Sequence, residues 1–559
     1  MLQRITSLPK FACIYLFLIL TFVTACKKGK DDDQAVADTS LSFTVNDTFN
    51  GTLSYKGLGL KPVIKFNFTE PVDPATTSAG LKLSSTAGVD VPLTITLQNT
   101  NKTVIVTPTN DLAGLTTYSL VANDALKSST GGRLINAVNI SLITNIDDKD
   151  KFSRISDEEL LDLVQKQTLK YFYDFGHPVS GLARERSTSG ETVTTGGSGF
   201  GIMAMISGVH RGFITRNEGL ERIQKIVTFL GTKADRFHGA YSHWLNGTTG
   251  KALPFSANDN GADLVETSFL LQGLITARQY FDGATPAEIK LRTEINEIWN
   301  GVDWNWFRQG GQNVLYWHWS PDKAWAMNLK ISGWNESLMV YVLAAASNTS
   351  SIPKVVYDNG WAQNGNMKNG NTYYGHVLPL GPPNGGPLFF EHYSFMAINP
   401  FGLSDVHANY ETQAKNHTLI NRAYCIANPK GFPSYGPDCW GLTASDTYNG
   451  YTASSPNNDV GTIAPTAAIS SMPYTPTESM QALRFFYYKL GDKMWGQYGF
   501  YDAFNLSQNW FDHQTLAIDQ GPIVTMIENH RSKLLWNLFM SAPEIKTGMR
   551  KLGFTSPNL

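Results

Sequence analysis

At 559 residues, with 42% apolar and 16% charged side chains, the chain has a globular composition and enough length for more than one domain around a large core. A formal net charge of −2 gives no reason to expect nucleic acid among its partners.

The chain opens with an export signal. Arg4 and Lys10 make a basic start, "FACIYLFLILTFV" a short apolar stretch, and "VTAC" sets small residues before Cys26. This resembles a lipoprotein signal peptide over residues 1–25, with cleavage before Cys26 and lipidation of its thiol. The apolar stretch, 13 residues long, is too short to span a bilayer, so the membrane is met through the lipid anchor alone. Residues 26–39, with "KKGKDDD" at their head, resemble the acidic tether of surface-exposed outer-membrane lipoproteins. The expected location is the cell surface, with a periplasm-facing position as the alternative.

Residues 40–146 alternate short β-rich runs with turn residues, as in "PVIKFNFTEPVDP" and "KTVIVTPTNDL", and show no helical period. They predict a small antiparallel β-sandwich. The phrases "FNFTEPVDPATT" and "LKSSTGGR" resemble bacterial Ig-like spacer modules. No catalytic grouping occurs here, and the expected role is a stalk.

An acidic linker, 147–155, leads into a helical region, 156–559. The spacing predicts helices over 156–175, 198–211, 216–235, 261–281, 285–300, 334–347, 405–427, 476–490 and 520–541, with weaker signals at 355–363, 391–397 and 508–515. Amphipathic helices alternate with apolar ones, which implies outer and inner rings of an (α/α)6 toroid. "TTGGSGFGIM" lacks phosphate-binding spacing and predicts a tight turn feeding a closely packed helix. All 13 tryptophans lie in this region, and aromatic-rich loops such as "NWFRQGGQNVLYWHWSPDKAW" suggest a binding face. Cys425 and Cys439 are 14 residues apart, and export permits a disulfide between them without requiring one.

The chemistry concentrates at helix mouths. Asp259, Asp263 and Glu266 are spaced by four and three, which on a helix places them on one stripe ahead of an apolar run. Helix capping explains one such carboxylate, but not Glu266 among apolar neighbours. "ISGWNESLMVYVLAAAS" repeats the pattern with Glu336. Opposed carboxyl groups are the apparatus of glycoside hydrolysis, one protonating the leaving oxygen and the other acting on the opposite face. His243, Trp244, Trp317, Trp319, Glu391, His392, Tyr393, Trp440 and Asp446 offer flat rings and short polar groups that suit a sugar, although each ring has core packing as its plainer explanation. Arg184 and Arg186 are placed to orient Glu185 or a site carboxylate.

"TTGGSGFGIMAMI", "NDNGADLVETSFLLQGLITARQYFDG", "ISGWNESLMVYVLAAAS", "GPLFFEHYSF" and "IDQGPIVTMIENHRSKLLW" together resemble the bacterial glucoamylase-like group, and within it glycoside hydrolase family 144. The resemblance runs in order over about residues 155 to 555. It implies an inverting, endo-acting hydrolase on an (α/α)6 barrel that cleaves β-1,2-glucan to short β-1,2-linked oligosaccharides, with essential acids at Asp259, Asp263, Glu266 and Glu336. Glu336 is the preferred general acid, and the other three position or activate water. The expected protein is a monomer with no cofactor and no metal, its partner a β-glucan oligo- or polysaccharide. The alternatives are an exo-acting β-glucan hydrolase, a polysaccharide lyase, or a non-catalytic glycan-capture lipoprotein.

Overall fold

The computed structural model describes residues 35–559; the signal peptide, Cys26 and most of the tether lie outside the described residues. Nine strands build the first unit: β1 (Leu41–Val45), β2 (Ser54–Leu58), β3 (Ile64–Phe68), β4 (Leu81–Ser85), β5 (Asp90–Val91), β6 (Leu93–Gln98), β7 (Thr103–Pro108), β8 (Thr117–Ala122) and β9 (Val138–Thr144). They form two sheets, ordered β1-β3-β7-β6 and β2-β9-β8-β4-β5. Alternate residues such as Phe66, Val104, Val106, Leu120 and Ile140 point inward and are fully buried. The pairing is antiparallel except for β2, which runs parallel to β9 with an irregularity between Tyr55 and Leu58. The linker packs on the helical unit, with Phe152 stacked on Tyr487 at 4.6 Å between ring centroids.

Helices dominate from residue 157. Asp157–Tyr173 and Arg216–Thr232 begin with capping boxes, Ser156 with Glu159 and Thr215 with Glu218, as outward amphipathic helices do. Thr195–His210 and Leu264–Tyr280 are buried almost throughout and pack backbone to backbone. A β-carbon on Gly199 would lie 2.0 Å from the Phe269 carbonyl oxygen, and one on Gly273 2.2 Å from that of Gly199, so only glycine permits the approach. This is the close packing expected of the glycine-rich run, although Thr195, Gly196 and Gly197 are already in the helix.

Other boundaries differ from the periodicity. The helix expected over 334–347 begins only at Leu338, because Ser337 N–H turns back to the Asn335 side chain at 2.9 Å. The 520–541 run is two helices, Ala517–Ser532 and Leu534–Ser541, broken at Lys533 with φ 60°. Residues 508–515 form no helix; Trp510–Phe511 pairs with Phe504–Asn505 as a hairpin. Pro543–Leu552 is a further helix that the spacing did not announce. Trp299, Trp304, Trp361, Trp440 and Trp536 are fully buried, so much of the aromatic content is core. Cys425 and Cys439 are buried free thiols rather than a disulfide.

The two ends of the helical unit meet. Ala517 N–H donates to Glu185 O and Ser187 N–H to Thr515 O, both at 2.9 Å, and the Gln165 amide donates to Val524 O at 3.1 Å.

Candidate active site

Asp263 is the cap of helix Leu264–Tyr280. Its Oδ1 accepts the N–H groups of Val265 at 3.0 Å and Glu266 at 2.9 Å. The chain just ahead of the helix pairs with the "YWHWS" segment in the register Asp263↔His318 and Ala262↔Trp319. That pairing brings His318 Nε2 within 3.4 Å of Asp263 Oδ2 and 3.2 Å of Asp259 Oδ2. His243 Nδ1 lies 3.2 Å from the same Asp263 oxygen, and its Nε2 lies 3.9 Å from Glu266 Oε1. Burial favours neutral rings, but the facing carboxylates win and hold both imidazoles up to about 9. Burial likewise raises the Asp263 carboxyl, but hydrogen bonds from the two histidines outweigh it and keep it well below the usual carboxylate range. Asp259 precedes the helix in a turn, bridged to Ser256, so the expected single helical stripe is not present.

Glu266 stands in the first turn and is pushed up, mainly by burial and partly by the Asp263 and Asp259 charges. Its Oε2 accepts Gly196 N–H at 2.7 Å. Glu336 sits in the turn before Leu338. Burial, then the charges of Glu266 and Asp263, raise it to about 7.

Glu266 and Glu336 line one cleft of about 430 Å³ with His243, Trp244, Trp317 and Tyr393. Two exposed aromatics also reach it: Phe255, stacked on His243 at 4.2 Å, and Tyr451, from the 444–453 hairpin.

Several expected sugar contacts lie elsewhere. Glu391 is fully buried and its Oε1 accepts from Trp334 Nε1, Gln413 Nε2 and His417 Nδ1 at 2.8–2.9 Å, a structural knot. His392 is sealed beside Ser471 Oγ at 3.0 Å, and burial lowers its pKa to about 3. Trp440 is core. Trp319 packs with Phe237, His238 and Trp306, outside the cleft lining. Arg184 lies over the Phe175 ring at 4.5 Å and donates to Gly190 O at 2.9 Å. Asp446 is bonded to Arg186 Nη1 at 2.8 Å, so its carboxylate is already engaged.

Spacing along the chain missed a second acidic group. Glu185 and Arg186 line the cleft, paired at 3.0 Å. Asp519, in helix Ala517–Ser532, follows lining residues Leu516 and Ile518 and is raised to about 7, chiefly by burial. It lies near Asp502, whose pKa is also driven up by burial and by the Asp519 charge. The Tyr393 hydroxyl, which lines the cleft, is raised mainly by burial and further by the charges of Asp519, Glu336 and Glu266. The signal available was Asp519 in "IDQGPIV", a carboxylate heading an apolar helix as Glu266 does.

Among the described residues two groups are spaced to hold an ion, His243–Asp259–Asp263 and Asp446–Asp502–Asp512. Imidazolium charge offsets the first, and Arg186, with burial driving Asp502 toward its neutral form, offsets the second.

Residues 328–543 match the Glycoamylase family model, a glucoamylase group, and residues 35–144 match the bacterial Ig-like domain. An endo-β-1,2-glucanase from Chitinophaga pinensis, solved with sophorotriose and glucose, is 52% identical, with a TM-score of 0.71 over 73% of this chain and 100% of that one. A β-1,2-glucanase from Parabacteroides distasonis is 39% identical, with a TM-score of 0.70 over 89% of this chain and 72% of that one. An exo β-1,2-glucooligosaccharide sophorohydrolase from P. distasonis is 48% identical over 420 residues, 71% of this chain; the chain spans 58% of that relative's length. Joined to a cleft built on Glu266 and Glu336, these likenesses show that the chain belongs to the glucoamylase-like glycoside hydrolase family 144, carrying an Ig-like domain at its N-terminal side.

Proposed function

We propose that this protein is an inverting, endo-acting β-1,2-glucanase whose helical domain is an (α/α)6 toroid. The observation that carries the reading is the cleft itself, where Glu336, protonated up to about pH 7, shares one space with Glu266, Tyr393 and Glu185. Glu336 is the general acid, giving its proton to the leaving glycosidic oxygen. Asp263, held ionised between two imidazolium rings, fixes the helix mouth and keeps Glu266 in place. Asp519, the more acidic of the two since burial drives Asp502 further up, is the group that in its ionised form takes a proton from the attacking water on the other face of the sugar. Trp244, Trp317, Phe255 and Tyr451 supply the flat surfaces for glucose rings.

The endo-acting relative from C. pinensis is matched over its whole length, which favours internal cleavage. The exo-acting relative from P. distasonis is spanned over little more than half of its own. The lipid anchor at Cys26 would hold the enzyme at the outer membrane, facing outward, as a monomer. Incubation with linear β-1,2-glucan tests the reading. The expected products are a range of short sophoro-oligosaccharides, first released with inverted anomeric configuration and without unsaturated sugar ends. Sophorose alone from the earliest time would make the enzyme exo-acting, unsaturated ends would make it a lyase, and no product would leave glycan capture.

A further inference from the structure

Leu115 precedes β8 with φ 48°, a left-handed backbone that leucine seldom adopts. Its N–H is bonded to Asn145 O at 3.1 Å. Its side chain leaves the sandwich and joins the helical unit's hydrophobic cluster, which holds Trp440, Phe486, Phe500 and Phe504 and has Leu506 and Phe511 packed against it. A strained residue persists where its surroundings hold it, so the two units meet at a formed contact. Two hydrogen bonds flank it: Lys56 Nζ donates to Ser507 O at 3.0 Å, and Asn509 Nδ2 to Thr117 Oγ1 at 3.1 Å.

Ser507 and Asn509 are the tip of the hairpin 503–512. Its feet are Asp502 and Asp512, closed together where Asp512 N–H donates to Ala503 O at 2.9 Å. Asp502 Oδ2 accepts Asp446 N–H at 2.6 Å, and Asp446 in turn holds the cleft residue Arg186. A single hairpin therefore has the sandwich at its tip and the second acidic group at its base.

We propose that the Ig-like domain is a positioning element for the cleft, holding the 503–512 hairpin so that Asp502 keeps its place beside Asp519 and Asp512 its place beside Asp446. This rests on the glucanase reading above. Asp519 faces Asp502, Asp446, Glu185 and Arg186; Asp512 faces Asp446; and the Tyr451 hydroxyl sits within reach of the Asp519, Asp502 and Asp446 charges. Interactions between such buried charges vary steeply with separation, so a small movement of the hairpin base changes which carboxyl carries the proton. Leu115, Lys56 and Thr117 touch no cleft residue and act through the hairpin.

The test is Leu115→Gly in the full chain, since glycine accepts the left-handed backbone and leaves the sandwich unstrained while removing the side chain from the cluster. On linear β-1,2-glucan the expected result is a kcat lowered by roughly 3- to 30-fold and a displaced pH–kcat profile, with KM little changed. Amide hydrogen exchange across 503–512 should quicken. Lys56→Ala combined with Thr117→Val, which leaves Leu115 in place, should move the same readouts less. Faster exchange with an unaltered kcat and pH profile overturns the proposal, as does no change in either. An active wild type with an unaltered Leu115→Gly profile overturns this proposal alone, whereas a wild type inactive on the glucan overturns the glucanase reading and this with it.

Discussion

Gly196 donates its backbone N–H to Glu266 Oε2 at 2.7 Å, and a β-carbon on Gly196 would lie 2.6 Å from that same oxygen. The glycine both holds the carboxylate and leaves it room. Gly196→Ala should therefore push Glu266 aside and lower kcat by about 10- to 100-fold. Steady-state kinetics with melting curves would check this, and a loss of activity accompanied by a collapse of the fold would refute it.

Glu336→Gln should abolish the general acid and lower kcat by at least about 10²-fold. Stability moves the other way, and its pH dependence has a definite sign. The carboxyl is raised from 4.5 to about 7 on folding, so the native state prefers it protonated. Wild type and variant should be alike below about pH 4.5, and the wild type should fall behind as pH climbs to 7, by up to about 3 kcal/mol at the plateau. Denaturant titrations at pH 4, 6 and 8 measure the gap; a constant gap would place the charge elsewhere. Asp519→Asn should also lose activity, while leaving the alkaline limb set by Glu336 where it was.

Against burial, the imidazole of His243 rises from 6.5 to about 9 beside Glu266 and Asp263, and that of His318 likewise beside Asp259 and Asp263; a raised folded value means a contribution complete below about pH 6.5 and lost as pH passes 9. Asp263 is depressed, so its share appears above pH 3.8 and goes as pH falls through its lowered value. Asp263→Asn should cost about 3–5 kcal/mol near neutrality, where both contributions overlap. The difference from wild type should narrow toward pH 10, read as melting temperature against pH.

Phe255 and Tyr451 are 50% and 52% exposed although both line the cleft, which suits rings that wait for a ligand. Phe255→Ala and Tyr451→Ala should each raise KM by about fivefold, near 1 kcal/mol of stacking, with stability within about 0.5 kcal/mol of wild type. Tyr451→Phe separates the ring from its hydroxyl. Unchanged KM in both alanine variants would leave these rings without a role in binding.

Glu391→Ala removes the acceptor of three buried donors, Trp334, Gln413 and His417. The expected result is about 3–5 kcal/mol of lost stability, or failure to fold, rather than a selective change in KM. Thermal melts with kinetics on whatever remains folded decide between the two.

The helix mouths were readable because a carboxylate ahead of an apolar run is locally unusual: Asp263, Glu266 and Glu336 stand out in the chain and converge in space. Glu391 and His392 are hard to read because a polar group bonded by buried partners from distant segments looks in sequence like one that awaits a ligand, and Trp440 because a core ring looks like a stacking one. Asp502, Asp512 and Asp519 gain their meaning only from a hairpin and a helix meeting Arg186, more than 300 residues earlier in the chain, a juxtaposition no local period encodes. The strand pattern of the sandwich was legible through its alternation, but the parallel β2–β9 pair was not, because strand direction is set by connection and not by side-chain order.

The backbone bonds from Glu185 and Ser187 to Ala517 and Thr515 join the opening of the helical unit to its close, and the cleft lies at that seam. Such distant contacts are among the last to be made as a chain folds. A fragment lacking its final helices would hold Glu266 and Glu336 yet have no complete cleft around them. Appearance of hydrolysis would thus time the finish of folding, and the enzyme would stay silent until this seam had closed.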